Sequence, residues 1–270
     1  MIDVDVVKST PPAPFAGGAG WEIQYTKIGK HWQGVDKIWQ ESDKRKSDRQ
    51  VALLLSDLLF LTGVQLSQTN IYQYNTAQTK KKINLLSRGG YLLSHKLIGS
   101  KTIPFYTVGP AAYKEDLKRD YVHGFYTRYG TTDVLKILSV NQLFIRFMKN
   151  FYVKEYLTVL PPYTAIMHIL PKKYGNPTEN QDKTITMPII SVRNYESDIE
   201  NIKRQLPKLE DKAVIICATD DILASIHSSI KGNDNLRITT DDRLFRMPLS
   251  SAFFTANSEG YEEVTVGLFD

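Results

Sequence analysis

Between Asn75 and Lys101 the chain gathers side chains that can hold an anion and read a polar edge. Asn75, Thr76, Gln78 and Thr79 lead into three consecutive lysines, Lys80, Lys81 and Lys82, and Arg88 closes the run. Lys96, Ser100 and Lys101 follow in the next stretch. Gln and Lys hydrogen-bond base edges, and Lys, Arg, Ser and Thr hold phosphate oxygens. For each lysine alone, a solvated surface charge is an equally good reading. Arg88 also has two readings, a phosphate contact or a favourable charge at a helix C-terminus.

Other chemistries find less support. No GxxxxGK[ST] phosphate loop and no Gly-rich dinucleotide loop follows a strand pattern. The histidines, His31, His95, His123, His168 and His227, are scattered without metal-ligand spacing. The lone Cys217 lies in the apolar run "AVIICATD" and reads as a small buried hydrophobe. It also fits a reducing compartment. No cofactor is expected.

The elements that must position these residues follow from capping and periodicity. "DRQVALLLSDLLFL" spaces Val51, Leu54, Leu55, Leu58 and Leu59 for a helix, with Ser47 as its N-cap. Thr62 caps a second, shorter helix carrying Val64, Leu66, Ile71 and Tyr74. Asn75 or Thr76 caps a third, "AQTKKKINLLSR", stopped by Gly89 and Gly90. Its buried face is expected to hold Ile83, Leu85 or Leu86, and Ala77. That leaves Gln78, Thr79, Lys81 and Lys82 on or near the other face. Successive helical residues are about 100° apart, so the three lysines cannot all face one way. One or two are expected to reach phosphate. "YLLSHKL" and "TIPFYTV" read as strands around the loop "IGSK", and Pro110 opens another helix. Helix, helix, helix, strand, loop, strand is the plan of a winged helix-turn-helix, whose third helix enters the major groove.

Charge agrees with that division. The chain has 270 residues and a net charge of +5. Residues 21–120 hold 16 Lys and Arg against 9 Asp and Glu, whereas residues 121–270 hold 17 against 18. A basic segment joined to a near-neutral one points to a polyanion partner for the first. We expect a flexible Pro/Gly-rich arm over 1–20, a winged-helix domain over 21–120 and a mixed α/β domain over 121–270. Within the last, Thr131–Phe151 reads as a long amphipathic helix. "YTAIMHIL", "TITMPIISVRN" and "KAVIICAT" read as strands, and "ESDIENIKRQLPKL" and "DDILASIHSSIKG" as helices. No apolar run approaches the roughly 20 residues of a membrane span, and the N-terminus lacks a signal-peptide pattern. A cytoplasmic location is expected.

The stretches "FLTGVQLSQ", "KKINLLSRGGYLLSHKL", "IPFYTVGPAAY", "HGFYTRYGTTDVL", "AVIICATD" and "LRITTDDRLF" resemble the replication-relaxation family, from about Ser47 to Phe245. The resemblance implies a winged helix followed by a restriction-endonuclease-like domain, on a plasmid, conjugative element or phage. Metal-dependent cleavage needs clustered carboxylates. The strand "MPIISVRN" offers Ser191 and Arg193 instead, and the preceding strand has no Asp. The adjacent pairs Asp220, Asp221 and Asp241, Asp242 read as a helix cap and a turn. The expectation is therefore a non-catalytic second domain and a sequence-specific binder of double-stranded DNA. Its role would be replication, transfer or transcriptional control. A homodimer is expected, with Val134, Leu138, Phe144 and Phe147 of the long helix as candidate contacts, and a replication or transfer protein as a further partner. The alternatives are a metal-dependent nicking enzyme or relaxase, and a winged helix that binds protein.

Overall fold

The computed structural model describes residues 20–26, 42–73, 75–158, 163–172, 183–193, 195–206 and 212–264. The expected N-terminal arm lies outside these, apart from Gly20. The protein is mixed α+β with two sheets, and it divides into two compact units at Val134 and Leu135.

The unit Gly20–Val134 is built on a four-stranded antiparallel sheet ordered β1 (Glu22–Gln24), β3 (Leu92–Ile98), β4 (Thr102–Val108), β2 (Leu61–Thr62). Three helices precede the β3–β4 hairpin: α1 (Ser42–Leu58), α2 (Gly63–Gln68) and α3 (Thr76–Arg88). Helix α1 starts before the expected cap Ser47, which lies inside it, and ends where Leu59 takes a positive φ of 64°. Its buried stripe is Val51, Leu55 and Leu58, joined by Ala52 and Asp48. Helix α2 is shorter than expected. Thr62 caps it in a reciprocal box with Gln65, but Asn70 and Gln73 adopt positive φ and break the helical run before Tyr74. Tyr74 itself lies outside the described residues. After β4 the chain makes one short helix, α4 (Pro110–Ala112), widening into a π-turn over Tyr113–Leu117 that stops at Lys118 with φ 52°.

Strand β1 was not legible as a strand, and the segment 121–130 was expected in the second domain. Aromatic packing decides both. The Tyr25 ring meets His95 and Phe105 edge-on at 5.2 and 6.2 Å, and its hydroxyl donates to the Tyr129 carbonyl at 2.8 Å. Phe60 in turn packs edge-on against Phe105, Tyr126 and Tyr129. Such pairs add to the apolar area they remove from water. They tie 121–130 to the first sheet, so the unit runs past residue 120.

His95 is buried within this cluster. Its Nδ1 accepts the Thr26 N–H at 3.1 Å, so Nε2 carries the hydrogen and donates to Thr107 Oγ1 at 3.0 Å.

The unit from Leu135 onward carries a seven-stranded sheet ordered β11-β10-β9-β8-β7-β6-β5. Strands β5 (Phe151–Thr158), β6 (Ala165–Pro171) and β7 (Ile185–Val192) pair antiparallel, while β7, β8 (Ala213–Cys217) and β9 (Leu236–Thr240) are parallel. The short strands β10 (Phe254–Ala256) and β11 (Tyr261–Glu263) close the order by antiparallel pairing. Helix α5 (Thr131–Phe147) precedes β5. Helices α6 (Tyr195–Gln205) and α7 (Asp220–Ile230) link the parallel strands, as parallel pairing requires a crossover. Every residue of β8 is buried, in keeping with its continuous apolar sequence. Cys217 is among them, and burial pushes its thiol pKa far above the ordinary value, so the thiolate is disfavoured.

Helix α5 ends at Phe147 rather than Phe151, which begins β5. Its expected dimer contacts are turned inward: Val134, Leu138 and Phe147 are fully buried, and Phe144 is 9% exposed. The helix spends even its polar side chains inside, with Ser139 Oγ 2.8 Å from Ser191 Oγ and Asn141 accepting from the Tyr156 hydroxyl at 2.7 Å.

Two acid pairs also sit differently from expectation. Thr219, not Asp220 or Asp221, is the N-cap of α7. Asp241 and Asp242 form the first turn of a helix, α8 (Asp241–Arg246), capped by Thr240. Asp241 is buried, and the guanidinium of Arg193 grips it through both terminal nitrogens, Nη2 at 2.7 Å from Oδ1. Arg193 Nε also donates to Ser191, and its backbone N–H donates to Asp198, which Lys136 pairs in turn. Ser191, near the end of β7, and Arg193, just beyond it, are thus parts of a closed polar network. Among the described residues no group of three His, Cys, Asp or Glu side chains could hold a metal ion. No described helix is long and apolar enough to cross a membrane.

Two stability measurements test these interiors. Burial holds the His95 imidazole down at about 4, whereas an unfolded histidine titrates near 6.5. The unfolded chain therefore takes up its proton first, and stability falls as pH drops from about 6.5 to 4, by roughly 3 kcal/mol at full effect. Urea midpoints across that window are expected to show a flatter pH dependence for His95→Gln; an unchanged slope would place the buried imidazole elsewhere. Asp241→Asn leaves the Arg193 charge buried without its counter-ion. A loss of about 3–5 kcal/mol is expected in urea unfolding, and much less in the Arg193→Met, Asp241→Leu double variant.

Candidate nucleic-acid interface

Helix α3 begins at a complete capping box. Asn75 Oδ1 accepts the Gln78 N–H at 2.9 Å, and Gln78 Oε1 accepts the Asn75 N–H at 3.3 Å. Both side chains are exposed, yet each is engaged in holding the helix start. The helix ends at Gly89, and Gly90 takes φ 69°, which permits the turn into β3.

Which residues of α3 face outward follows from its 3.6-residue period. Thr79, Ile83 and Leu86 are buried, at 2%, 1% and 0% exposure. Thr79 was expected on or near the outer face. It lies one turn before Ile83 on the same stripe, so it packs inward and is not available to a phosphate. Leu85 and Ala77 were candidates for the buried face and are exposed instead. The outward arc is Ala77, Lys80, Lys81, Asn84, Leu85 and Arg88. Ala77, Lys81, Asn84 and Arg88 follow one another at intervals of four, three and four, a single stripe along the helix.

The three lysines divide. Lys80 and Lys81 are exposed. Lys82 turns back to α1 and forms an ion pair with Asp48 at 2.8 Å, its side chain only 14% exposed. Asp48 is itself buried and accepts the Tyr72 hydroxyl at 3.1 Å. Burial raises the Asp48 pKa, and Lys82 and Tyr72 act against that rise by favouring its charged form. Lys82 is therefore a tie between helices, and the sequence reading of it as a free DNA contact has to yield to that geometry. Thr76, on the first turn, is exposed.

Asn84 is the residue that sequence reasoning missed. It stands one helical turn beyond Lys81, and an exposed Asn can pair with an adenine edge through two hydrogen bonds. The signal was present in its spacing from Lys81 and Arg88. Exposed Leu85 beside it offers an apolar contact of the kind a thymine methyl takes.

The hairpin supplies the second group. In β3 the side chains alternate: Leu93, His95 and Leu97 are buried, while Lys96 and Ile98 are exposed. Lys96 pairs in register with Gln24 of β1 and Pro104 of β4. Ser100 and Lys101 are exposed at the tip, where the Gly99 N–H donates to the Lys101 carbonyl at 3.1 Å. A side chain at Gly99 would meet the Trp21 ring, whose Cε3 lies 2.8 Å from where its Cβ would stand. Trp21, the residue before β1, therefore covers the tip, and a side chain at position 99 would force that ring to shift. The Trp21 contact was not foreseen from sequence, because it depends on β1 pairing with β3.

No family model, no curated protein and no solved structure matches the chain.

Lys82→Ala strips the buried Asp48 of its cation. Unfolding is expected to show a loss of roughly 2–3 kcal/mol, relieved in part by Asp48→Asn in the same chain. Lys80→Ala, an exposed neighbour, is expected to stay within about 0.5 kcal/mol of the parent. Equal effects from the two lysines would contradict this division of roles.

Proposed function

We propose that the chain binds double-stranded DNA through its first unit. That unit would act as a winged helix, with α3 in the major groove and the β3–β4 hairpin as the wing. The observation that carries the reading is the outward stripe of α3, where Lys81, Asn84 and Arg88 share one face and Lys80 flanks it. Two or three cations along one helix face suit phosphates on either side of a groove, and Asn84 between them suits a base edge. Lys96, Ser100 and Lys101 add exposed polar and basic groups on the hairpin. The excess of positive charge in residues 21–120 supports the same partner.

The wider setting rests on the resemblance to the replication-relaxation family. On that footing the protein serves a plasmid, conjugative element or phage in replication, transfer or transcriptional control. The second unit would then be a restriction-endonuclease-like fold used for partner contact or dimerisation, working in the cytoplasm. A homodimer would read two half-sites and multiply specificity.

A gel-shift series across salt concentration tests the interface. Lys81→Ala with Arg88→Ala is expected to weaken binding roughly tenfold or more and to lower the slope of log affinity against log salt by about 2. Asn84→Ala should instead relax discrimination between sites and leave that slope alone. An unaltered slope in the double variant would remove α3 as the DNA-facing helix.

A further inference from the structure

The outward face of α3 carries two uncharged groups between its cations, and their chemistry narrows the base pair they can meet. Counting its cap, the helix has three amide side chains, Asn75, Gln78 and Asn84. The first two are spent on each other in the capping box. Asn84 is exposed and has no hydrogen-bond partner among the described residues, which leaves both its carbonyl oxygen and its amino group open. Such an amide sets one acceptor beside one donor. In the major groove only adenine answers it with two bonds, through the N6 donor beside the N7 acceptor. Guanine shows two acceptors there, cytosine one donor and thymine one acceptor.

Leu85 points to the same pair. It is 44% exposed, while the next residue, Leu86, is fully buried and supplies the core. Single exposed leucines are common on protein surfaces, but this one directly follows Asn84 and lies one helical turn beyond Lys81. A leucine has no polar atom, and the one apolar group on a base edge in the major groove is the thymine methyl. Bringing the two together removes apolar area from water on both sides. An A·T pair presents both features and a G·C pair presents neither. The helix from Thr76 to Arg88 contains no Asp or Glu, so no carboxylate on it would accept from a cytosine amino group or repel phosphate.

We infer that α3 selects a site holding an A·T pair, with Asn84 on adenine N6 and N7 and Leu85 against the thymine methyl of that pair or of the next one. This selectivity rests on the duplex-binding reading of α3 and names the base that the reading leaves open. Lys81 and Arg88 hold the phosphates on either side and carry no part of it.

The full chain is mixed with a pool of duplexes randomised at their centre, and the shifted duplexes are recovered from a gel and sequenced. An A·T pair at one fixed position is expected in them. In one recovered duplex the adenine of that pair is replaced by 7-deazaadenine, which lacks the N7 acceptor. In others, the thymine of that pair and those of its neighbours are replaced one at a time by uracil, which lacks the methyl. The parent protein is expected to lose roughly fivefold or more in affinity with 7-deazaadenine and about fourfold with uracil at one position. Asn84→Ala should bind the adenine and 7-deazaadenine duplexes equally, and Leu85→Ala the thymine and uracil duplexes equally, each keeping the sensitivity that the other loses. Both positions are exposed and alanine favours a helix, and circular dichroism reports that the variants keep their fold. A recovered pool without a shared A·T pair, a parent protein indifferent to either base change, or a variant that keeps the sensitivity assigned to its residue overturns the selectivity. Duplex binding by α3 survives those results as long as Lys81→Ala with Arg88→Ala still lowers the salt slope. An unaltered slope in that variant, or no shifted duplex at all, removes the duplex reading and the selectivity with it.

Discussion

The Lys82–Asp48 ion pair sets the rotation of α3, and the candidate interface depends on that rotation. Two adjacent lysines remain outside because the third is held inside. The pair joins α1 to α3 at a buried carboxylate, which also accepts the Tyr72 hydroxyl from the turn after α2. One carboxylate thus coordinates three consecutive segments of the first unit. A partly buried pair of this kind adds little net stability over apolar packing, but it discriminates strongly against a rotated helix, which would leave Asp48 charged and alone. Thr79, Ile83 and Leu86 enforce the same rotation through packing.

The two units use buried charge in parallel ways. In the second, Arg193 is locked onto Asp241 and supports Ser191 and Asp198 around the end of β7. The end of a parallel strand is where many α/β folds place ligands, yet the groups gathered here consume one another's hydrogen-bonding capacity. Arg193 donates to Asp241 and Ser191, and Ser191 meets Ser139 of α5. The network reads as an internal fastening of α5, β7 and α8. In the first unit, by contrast, exposed polar groups gather on α3 and on the hairpin.

Much of the local structure was legible. The cap at Thr62, the cap at Asn75 and the stop at Gly89 are all satisfied within a turn of chain. The apolar run of β8 announced its burial on both faces. The strands β1, β2, β5, β10 and β11 were not legible, since each is short or weakly patterned, and β1 and β2 exist through pairing with strands far along the chain. Helix α2 was overread, because apolar spacing cannot show that Asn70 and Gln73 turn to positive φ. The segment around Tyr126 and Tyr129 was assigned to the wrong side of the boundary, because its partner Phe60 lies far earlier in the chain.

The sequence by itself determined the extent of α3, the hairpin that follows it and the excess of positive charge around them. Caps, glycine stops and alternation act over a few residues, and charge is a sum that folding does not change. Only the tertiary structure decided which of three identical lysines is free, that Thr79 turns inward, and that Arg193 finds Asp241. Those outcomes rest on residues brought together from distant positions, and a buried charge is tolerated only where its partner arrives with it.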